Sequence, residues 1–304
     1  MKKFVLLKSR GFDAHYNQAL EATLFDTVGD DAFVLYLWAN DNAVFIGRHQ
    51  NAYTECDLPR LEADGGKLAR RITGGGAVYH DKGNVNYSFI APSEFYDEQR
   101  QFGWIVDTLK ELGINAEKTG RNDITVGGRK FSGNAFYKNA EAGLHHGTIL
   151  IGSDYGKIGK YLTASKLKLQ SKNIASVPQR IINLNEINPR IDKEQIFDAL
   201  ALTVRSALGA SLARIEAEDL DQTVLQNRLA FFTDKTRLYG ADTHYDVRLE
   251  HRFDWGTADI RLKLDKNKII GAVIYNDCLD TDLIARKEND LLGADVNEIL
   301  DVLR

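Results

Sequence analysis

Residues 68–89 read LARRITGGGAVYHDKGNVNYSF, and this stretch carries the clearest signals for both fold and chemistry. At its end, Val85, Tyr87 and Phe89 alternate with polar residues, which is typical of a β-strand. Before that strand, the three glycines at 74–76 leave the backbone uncovered, so the phosphates of a ligand can reach bare N–H groups. The two arginines just upstream are fork-shaped donors suited to phosphate or carboxylate. The spacing matches neither the Walker pattern nor the dinucleotide fingerprint, and a flexible turn beside a solvated basic pair is the alternative interpretation.

Further secondary structure is predicted on both sides of this stretch. Apolar residues at helical spacing predict an amphipathic helix over residues 13–28. Residues 33–38 and 43–46 are apolar runs joined by an Asn-Asp-Asn turn, and we interpret them as a hairpin of two buried strands. The sequence also predicts a hairpin around Gly127-Gly128, a strand at 148–151, and helices near 98–112, 156–173 and 193–208, the last with a capping box at Asp192 and Gln195. Together these elements indicate an α+β domain, mainly antiparallel, that extends to about residue 240.

The C-terminal part of the chain is predicted to form a separate, smaller unit. Residues 242–252 are polar without a clear period, and strand alternation restarts at residues 260–264. A turn leads into a strand over 269–275, and residues 296–303 have apolar side chains at helical spacing. We therefore expect a catalytic domain over 1–242 and a small α+β accessory domain over 243–304, which should dock on the larger one because so short a chain is marginal by itself.

Composition narrows the class of protein. The chain has 304 residues, 43% of them hydrophobic and 27% charged, which is ordinary for a globular protein. A net charge of −4 makes a dedicated nucleic-acid binder an unfavoured interpretation. Cys56 and Cys278 have neither metal nor redox spacing, and we interpret both as packing residues. No secretory signal and no apolar run of about 18 residues is found, so we expect a cytoplasmic protein without a membrane partner.

A second candidate segment covers residues 120–134, GRNDITVGGRKFSGN. Asn122 and Asp123 offer hard oxygen ligands that suit Mg²⁺ held jointly with phosphates. Lys130 falls where a strand should restart, so a rigidly held ammonium there could neutralise charge that develops between a carboxylate and an α-phosphate. Each residue also has an ordinary interpretation, a turn aspartate and a surface lysine.

Two weaker features remain. His145 and His146 suggest a metal or acid–base site, but adjacent strand residues point to opposite faces, so we favour structural or pocket-lining roles. Residues 155–185 contain no acidic residue and several basic ones, namely Lys157, Lys160, Lys166, Lys168, Lys172 and Arg180. A solvated helix face is the ordinary explanation, and an anionic partner such as a nucleotide or an acidic carrier domain is the alternative.

Four segments together resemble the lipoate–protein ligase family, which lies within the wider group of biotin ligases and octanoyl transferases. They are LARRITGGGAVYHDKGN (68–84), GRNDITVGGRKFSGNAF (120–136), LHHGTILI (144–151) and YLTASKLKLQSKNIASVPQRIINL (161–184). They occur in the order and spacing of the family, whereas residues 255–304 resemble its accessory domain more loosely. The resemblance implies a class II synthetase or biotin-ligase-like mixed-sheet catalytic domain and a C-terminal domain that moves.

The resemblance also implies roles for individual residues. Lys130 corresponds to the family's catalytic lysine, which contacts both the lipoyl carboxyl group and the phosphate. The residues implied for binding ATP or the adenylate are Arg71, Gly76, Ala77, Val78, Tyr79, Asn122, Asp123 and Lys130, with Asp123 also the implied Mg²⁺ ligand. Those implied for the lipoate pocket are Arg71, Thr73, Gly75, His80, His146, Gly147 and Thr148.

The implied activity is attachment of lipoate to a protein in two steps, with ATP and Mg²⁺. Lipoate is first activated to lipoyl-AMP, and the lipoyl group then passes to a lysine of a lipoyl carrier domain, in the E2 subunit of a 2-oxoacid dehydrogenase or the glycine cleavage H protein. No protein nucleophile is needed. The sequence departs from the family at Tyr137, where some relatives carry arginine, and at residues 239–244, where a Gly-Lys-Ser-Pro-type junction is usual.

Two other functions remain to be weighed. An octanoyl or lipoyl transferase that uses a carrier-bound acyl donor would need a cysteine nucleophile near the acyl pocket and no ATP. A carrier-binding protein without activity should lack the lysine and the metal ligands, which are present here.

Overall fold

A mixed sheet of eight strands forms the centre of the larger domain in the structure, a computed structural model that describes residues 3–163, 180–240 and 244–304. The described strands are β1 (Lys3–Lys8), β2 (Ala32–Ala39), β3 (Ala43–Ile46), β4 (Lys67–Arg70), β5 (Val78–His80), β6 (Asn84–Pro92), β7 (Glu117–Thr119), β8 (Asp123–Val126), β9 (Arg129–Lys138), β10 (Ala142–Leu150), β11 (Ser211–Arg214), β12 (Val247–Phe253), β13 (Gly256–Asp265) and β14 (Lys268–Asn276). The large sheet has the order β11-β1-β2-β6-β10-β9-β8-β7. Its β1 pairs in parallel with β2 and β11, and its other pairs are antiparallel, which confirms the predicted α+β class.

Helices cover both faces of this sheet. The described helices are α1 (Ala14–Thr27), α2 (Ala52–Glu55), α3 (Leu58–Ala63), α4 (Glu98–Glu111), α5 (Tyr155–Tyr161), α6 (Lys193–Leu208), α7 (Gln222–Thr233), α8 (Lys235–Tyr239), α9 (Thr281–Leu291) and α10 (Ile299–Leu303). One core packs α4 and α6 against one face, and a second core packs α1 and α7 against the other. All residues of β2 and β6 are therefore buried, since neither face of the central strands reaches solvent.

The predicted hairpin of residues 33–38 and 43–46 is wrong, although both strands exist. β2 lies in the large sheet, whereas β3 lies in a separate three-stranded sheet of order β4-β3-β5. The end of β2 and the following turn are tied to α1, because the Asn17 amide nitrogen donates to the Ala39 carbonyl at 2.9 Å and to Asn40 Oδ1 at 3.0 Å. Both edges of β2 pair with β1 and β6, and both edges of β3 pair with β4 and β5, so the two strands do not pair with each other.

Four further predictions concern one hairpin and three helices. The hairpin at Gly127-Gly128 is confirmed, with φ of 55° and 75°, the positive angles that a tight two-residue turn requires. The capping box of α6 at Asp192 and Gln195 is confirmed as well. The helix predicted over 156–173 ends at Tyr161, and Lys166, Lys168 and Lys172 lie outside the described residues. Helix α1 is not amphipathic, because ten of its fourteen side chains, polar ones included, are buried between the sheet and α7.

The C-terminal unit has its own sheet and core, as predicted. Strands β12, β13 and β14 form an antiparallel sheet, and α9 and α10 pack on it around Ile260, Leu262 and Ile284. The sequence analysis missed β12, whose alternation is interrupted by His251, and α9, whose many charged residues hide a buried face. The expected domain boundary at 242/243 lies outside the described residues.

The small domain docks directly on the glycine-rich segment. The Gly75 N–H donates to the Cys278 carbonyl, and the Asn276 N–H donates to the His49 carbonyl, both at 2.9 Å. A Cβ atom on Gly74 would lie 2.2 Å from the Cys278 carbonyl oxygen, so a side chain at position 74 would collide with backbone. Among the described helices, none is long and apolar enough to cross a bilayer.

We predict that Gly74→Ala loosens the contact between the domains, whereas Gly76→Ala does not, because a Cβ on Gly76 meets no atom within 4 Å. Forcing the extra carbon against a backbone carbonyl typically costs about 1–3 kcal/mol. Calorimetric unfolding and limited proteolysis of the junction at residues 240–244 would measure the effect. Equal melting and equal cleavage of the two variants would contradict the prediction.

Candidate functional site

A cavity of about 140 Å³ lies between the glycine-rich segment, the central strands and the start of β9. It is lined by Gln18, Trp38, Phe45, Arg71, Gly75, Gly76, Ala77, Val78, His80, Asn86, Asn122, Lys130, Gly133, Asn134, Ala135, His146, Gly147 and Thr148. The structure thus brings most of the sequence-predicted site residues to one place, although they come from three distant segments.

Three of the predicted residues do not line the cavity. Thr73 is fully buried behind the residues that line the cavity. The side chain of Tyr79 points to the opposite face of β5, where it packs against Tyr161 and donates to Asn42. Asp123 lies at the edge, in contact with Lys130. Thr73 therefore reaches the cavity only through Arg71 and His146, which it contacts, and Asp123 contacts Lys130, which lines the cavity.

Arg71 organises the glycine-rich segment from inside. Its Nη2 donates to the carbonyls of Gly74 and Gly76 at 2.7 and 2.8 Å, and its Nε donates to the Thr73 hydroxyl at 3.0 Å. Burial lowers the pKa of Arg71 to about 10, so the guanidinium stays charged at neutral pH. The segment is wound around a buried cation, which makes it a shaped loop and not a flexible turn.

The charge of Arg71 is connected to a buried carboxylate through two intermediate side chains. The Thr73 hydroxyl, which accepts from Arg71, is bonded to His146 Nε2 at 2.9 Å. On the other side of the ring, His146 Nδ1 is bonded to Glu21 Oε1 at 2.8 Å. Glu21 also accepts from the Ser88 hydroxyl. This network gives Thr73, His146 and Glu21 hydrogen-bond partners although all three side chains are buried.

Lys130 is held at the cavity wall by two neighbours. Its Nζ lies 2.6 Å from Asp123 Oδ1. A Cβ on Gly133 would come within 2.8 Å of that Nζ, so the lysine side chain lies across the space that a larger residue would fill. Nearby, the side-chain amide of Asn122 donates to the backbone carbonyl of Asn134, and the side-chain amide of Asn134 donates to that of Asn122. These two bonds fix the start of β8 beside β9. The ammonium therefore has a defined position.

The paired histidines point to opposite faces of β10, as predicted. His145 lies in the aromatic core with ring contacts to Phe102 and Phe136, and burial holds its pKa well below the usual value. His146 lines the cavity instead. Within the described residues, no group of three or more His, Cys, Asp or Glu side chains is placed to hold a metal ion. The single carboxylate of Asp123 suits a Mg²⁺ ion that arrives with phosphates, because such ions are usually held by one or two carboxylates plus substrate oxygens.

Neither cysteine has the features of a nucleophile. Both are free and buried. Burial raises the pKa of Cys56 to about 12, and burial also raises the pKa of Cys278. The backbone of Cys278 does contact the glycine-rich loop, because its carbonyl accepts from the Gly75 N–H. The thiols themselves stay protonated at neutral pH and do not line the cavity.

Several site residues were missed by the sequence analysis. Gln18, Trp38, Phe45 and Asn86 line the cavity, and Glu21 supports His146 from below. A signal was available in Gln18 and Glu21, which are large polar side chains within the uninterrupted buried part of α1, residues 17–25. Buried polar residues are informative because they require partners or a ligand.

His80 is kept neutral by its surroundings. Burial, together with the smaller effect of the nearby Arg71 charge, lowers its pKa to about 3. The ring stacks on Phe45 with a centroid distance of 4.3 Å, and its Nδ1 is bonded to the Asn40 amide at 2.9 Å. At neutral pH, His80 is therefore an uncharged part of the cavity wall.

We predict that the free energy of unfolding falls as the pH drops below about 6.5, the pKa of an unfolded-state histidine. Between that value and about 3, the unfolded chain binds a proton that folded His80 does not. Each pH unit in this window then costs about 1.4 kcal/mol for each such histidine. Urea unfolding from about pH 7.5 to about pH 5 should show a shallower decline for His80→Gln than for the wild type. Identical slopes would exclude this assignment.

Comparison with known proteins agrees with the motif-based resemblance. A family model described as the lipoyl protein ligase A/B catalytic domain matches residues 13–205, and one described as the bacterial lipoate protein ligase C-terminus matches residues 242–304. A lipoate-protein ligase A of Psychrobacter cryohalolentis is 38% identical over 290 residues, with 93% of this chain and 86% of the relative covered. A lipoate-protein ligase A of Bdellovibrio bacteriovorus is 34% identical over 301 residues, with coverages of 96% and 88%.

A solved structure is similar along nearly the whole chain. The crystal structure of Plasmodium falciparum LipL1 in complex with lipoate has a TM-score of 0.86 and 31% identity, covering 99% of this chain and 93% of that one. Both domains described above therefore occur together in a relative. On these grounds the chain belongs to the lipoate–protein ligase family.

Proposed function

We propose that this protein is an ATP-dependent lipoate–protein ligase, which activates lipoate to lipoyl-AMP and transfers the lipoyl group to a lysine of a lipoyl carrier domain. The observation that carries the proposal is the cavity that contains Lys130 and the glycine-rich backbone together with an aromatic, uncharged wall. Such a cavity offers positive charge where two anions react and an apolar surface for an acyl chain. Family membership supports the same activity.

In the first step, a lipoate carboxylate oxygen attacks the α-phosphorus of ATP, and pyrophosphate leaves. The two reactants are anions, so their approach requires fixed positive charge. Lys130 supplies a donor whose position is set by Asp123 and Gly133. Arg71 supplies a second charge behind the loop, and the backbone N–H groups near Gly76 and Ala77 are uncovered by large side chains.

In the second step, the ε-amine of the carrier lysine attacks the acyl carbonyl carbon, and AMP leaves. The amine must lose a proton, and the product is an amide. This step needs no covalent intermediate on the enzyme, which agrees with two buried thiols of raised pKa. It does need an adenylate shielded from water, and the small domain docked on the glycine-rich loop helps to exclude solvent there.

We also propose Mg²⁺ as the metal that accompanies ATP, with Asp123 as its protein ligand and Asn122 next to it. When bound, this ion would neutralise phosphate charge. The acceptors would be lipoyl domains of E2 subunits and the glycine cleavage H protein. Within this chain, we propose that the catalytic domain covers residues 1–242 and the accessory domain covers residues 243–304. Two free buried cysteines fit a reducing compartment, so we propose a cytoplasmic location.

The rival activity is transfer of an octanoyl or lipoyl group from a carrier without ATP. Mass spectrometry of a lipoyl carrier domain incubated with the enzyme, lipoic acid and Mg-ATP would test the proposal against it. We expect a mass increase that corresponds to one lipoyl amide and disappears when ATP is omitted. Modification without ATP from an acylated carrier would favour the rival.

We predict that Lys130→Ala lowers the rate of adenylate formation by about 10²–10³, the usual loss when one charge-stabilising donor is removed. Pyrophosphate release from ATP and lipoate measures this step. Cys56→Ser should leave the rate unchanged, since its thiol is remote from the cavity and protonated. Near wild-type release by the lysine variant, or inactivation by the cysteine variant, would contradict the assignment.

We predict that Gly133→Ala also slows adenylate formation, by about 10-fold to 100-fold, without unfolding the protein. The new methyl group would occupy the space of the Lys130 ammonium, which is the flexible end of a side chain and can move. Gly103→Ala is the matched control, because its Cβ meets no atom within 4 Å. If both variants retain the wild-type rate, the position of Lys130 across Gly133 has no part in activation.

A further inference from the structure

A larger cavity of about 560 Å³, here called the interdomain cleft, lies between the catalytic domain and the accessory domain. Its walls include Arg48 and Arg70 from the first domain and Tyr275 and Glu288 from the second. It shares no lining residue with the cavity around Lys130, and none of the residues that the resemblance assigns to ATP or lipoate lines it. Its volume is typical of pockets that bind small molecules.

Positive charge is in excess in the interdomain cleft. Its charged lining residues are four arginines and two acids, namely Arg48, Arg70, Arg228, Arg237, Asp26 and Glu288. The cleft is also lined by His49, whose pKa is lowered to about 4 by burial and by the charge of Arg48, so this ring is neutral at neutral pH. One of the two acids, Asp26, is already paired with Arg228. A concave site lined mainly by one sign of charge attracts ions of the other sign.

Three arginines of the cleft lack an acidic partner. In the described part of the chain, Arg48, Arg70 and Arg237 form no ion pair, whereas Arg228 does. The Arg237 guanidinium lies 4.2 and 4.7 Å from the ring centroids of Phe231 and Phe232. Burial, followed by the charges of Arg70 and Arg48, lowers the pKa of Arg237 to about 9. Like charges are therefore held close together here.

The structural role of Arg70 accounts for its hydrogen bonds but not for its charge. Its guanidinium donates to the carbonyls of Gln50, Arg237 and Leu238 at 2.6, 2.6 and 2.7 Å. Carbonyls accept these protons without balancing the positive charge. The neighbouring Arg71 lines the other cavity, and Glu21 balances its charge through Thr73 and His146. The corresponding negative charge in the interdomain cleft must come from a ligand.

We propose that the interdomain cleft binds a phosphate-bearing ligand with at least two negative charges. The site is separate from the cavity of the proposed reaction, so this inference goes beyond that function. Arg48 is exposed at the cleft and offers a fork-shaped donor that matches phosphate oxygens, and Arg237 offers a second. The excess of two arginines over acids favours a divalent anion over a monovalent one.

Two sources share this chemistry, an inorganic polyphosphate and a nucleotide. Pyrophosphate represents the first and AMP the second. The side chains of Tyr245 and Tyr275 also line the cleft, and a nucleotide base could contact their rings. Because the walls come from both domains, either ligand should also stabilise the docked arrangement by mass action.

The test is calorimetric titration of the full-length Lys130→Ala protein with pyrophosphate and with AMP. This variant removes the cation of the other cavity, so the remaining binding reports on the cleft. Adding Arg48→Gln or Arg237→Gln should weaken binding about tenfold or more, because each removes a charged donor. Arg60→Gln is the matched control, since Arg60 is an exposed arginine that lines neither cavity.

Binding of either phosphate that depends on Arg48 and Arg237, but not on Arg60, supports the inference, and the ligand that responds identifies the source. Pyrophosphate should then slow proteolysis between the two domains in Lys130→Ala but not in the double variants. Binding that neither arginine variant weakens, or no binding to the folded Lys130→Ala protein, overturns the inference. A glutamate-rich peptide that binds when both phosphates fail would assign the cleft to an acidic protein segment and overturn it as well. Calorimetric melting confirms that each variant is folded.

Discussion

The burial of the Arg71 guanidinium is the constraint on which the rest of the site depends. A buried cation is tolerated when its hydrogen bonds are made and its charge is balanced. Here the loop carbonyls accept its protons, and the balancing carboxylate, Glu21, is reached through Thr73 and His146. The path of the loop, the direction of His146 on β10 and the presence of an acid in a buried helix all follow from that requirement.

The same loop also carries the contact between the two domains. Gly75 donates to the Cys278 carbonyl, and Gly74 has no room for a side chain against the same backbone. Glycines in this segment therefore serve two purposes at once. They leave peptide groups open toward the cavity, and they let the accessory domain approach on the other side. A substitution in the loop is accordingly expected to affect docking or the ligand site according to which glycine is changed, and Gly74 and Gly76 separate the two effects.

The sequence could predict local structure and candidate residues, but not how the segments come together. Periodicity located most strands, and the turn chemistry of Gly127-Gly128 was sufficient for that hairpin. The hairpin predicted for β2 and β3 failed because β2 pairs with β1 and β6 and β3 pairs with β4 and β5, so partner choice depends on segments outside the local sequence. For the same reason Gln18 and Glu21 were missed, since a helix buried on all sides looks amphipathic when only its apolar positions are counted. Four ordered motifs did identify the family, because their joint occurrence is far more specific than any one of them.

The two cations of the site have different partners, and the difference suits them to different tasks. Arg71 is buried and bound to loop carbonyls and, through a relay, to a buried acid, so moving it would leave several groups unsatisfied. Lys130 is paired with Asp123 where both side chains are more than one-third exposed. An ion pair of that kind is weak because water screens it. Lys130 can therefore exchange its carboxylate for an incoming anion at little cost, whereas Arg71 is suited to hold the loop in place while the exchange occurs.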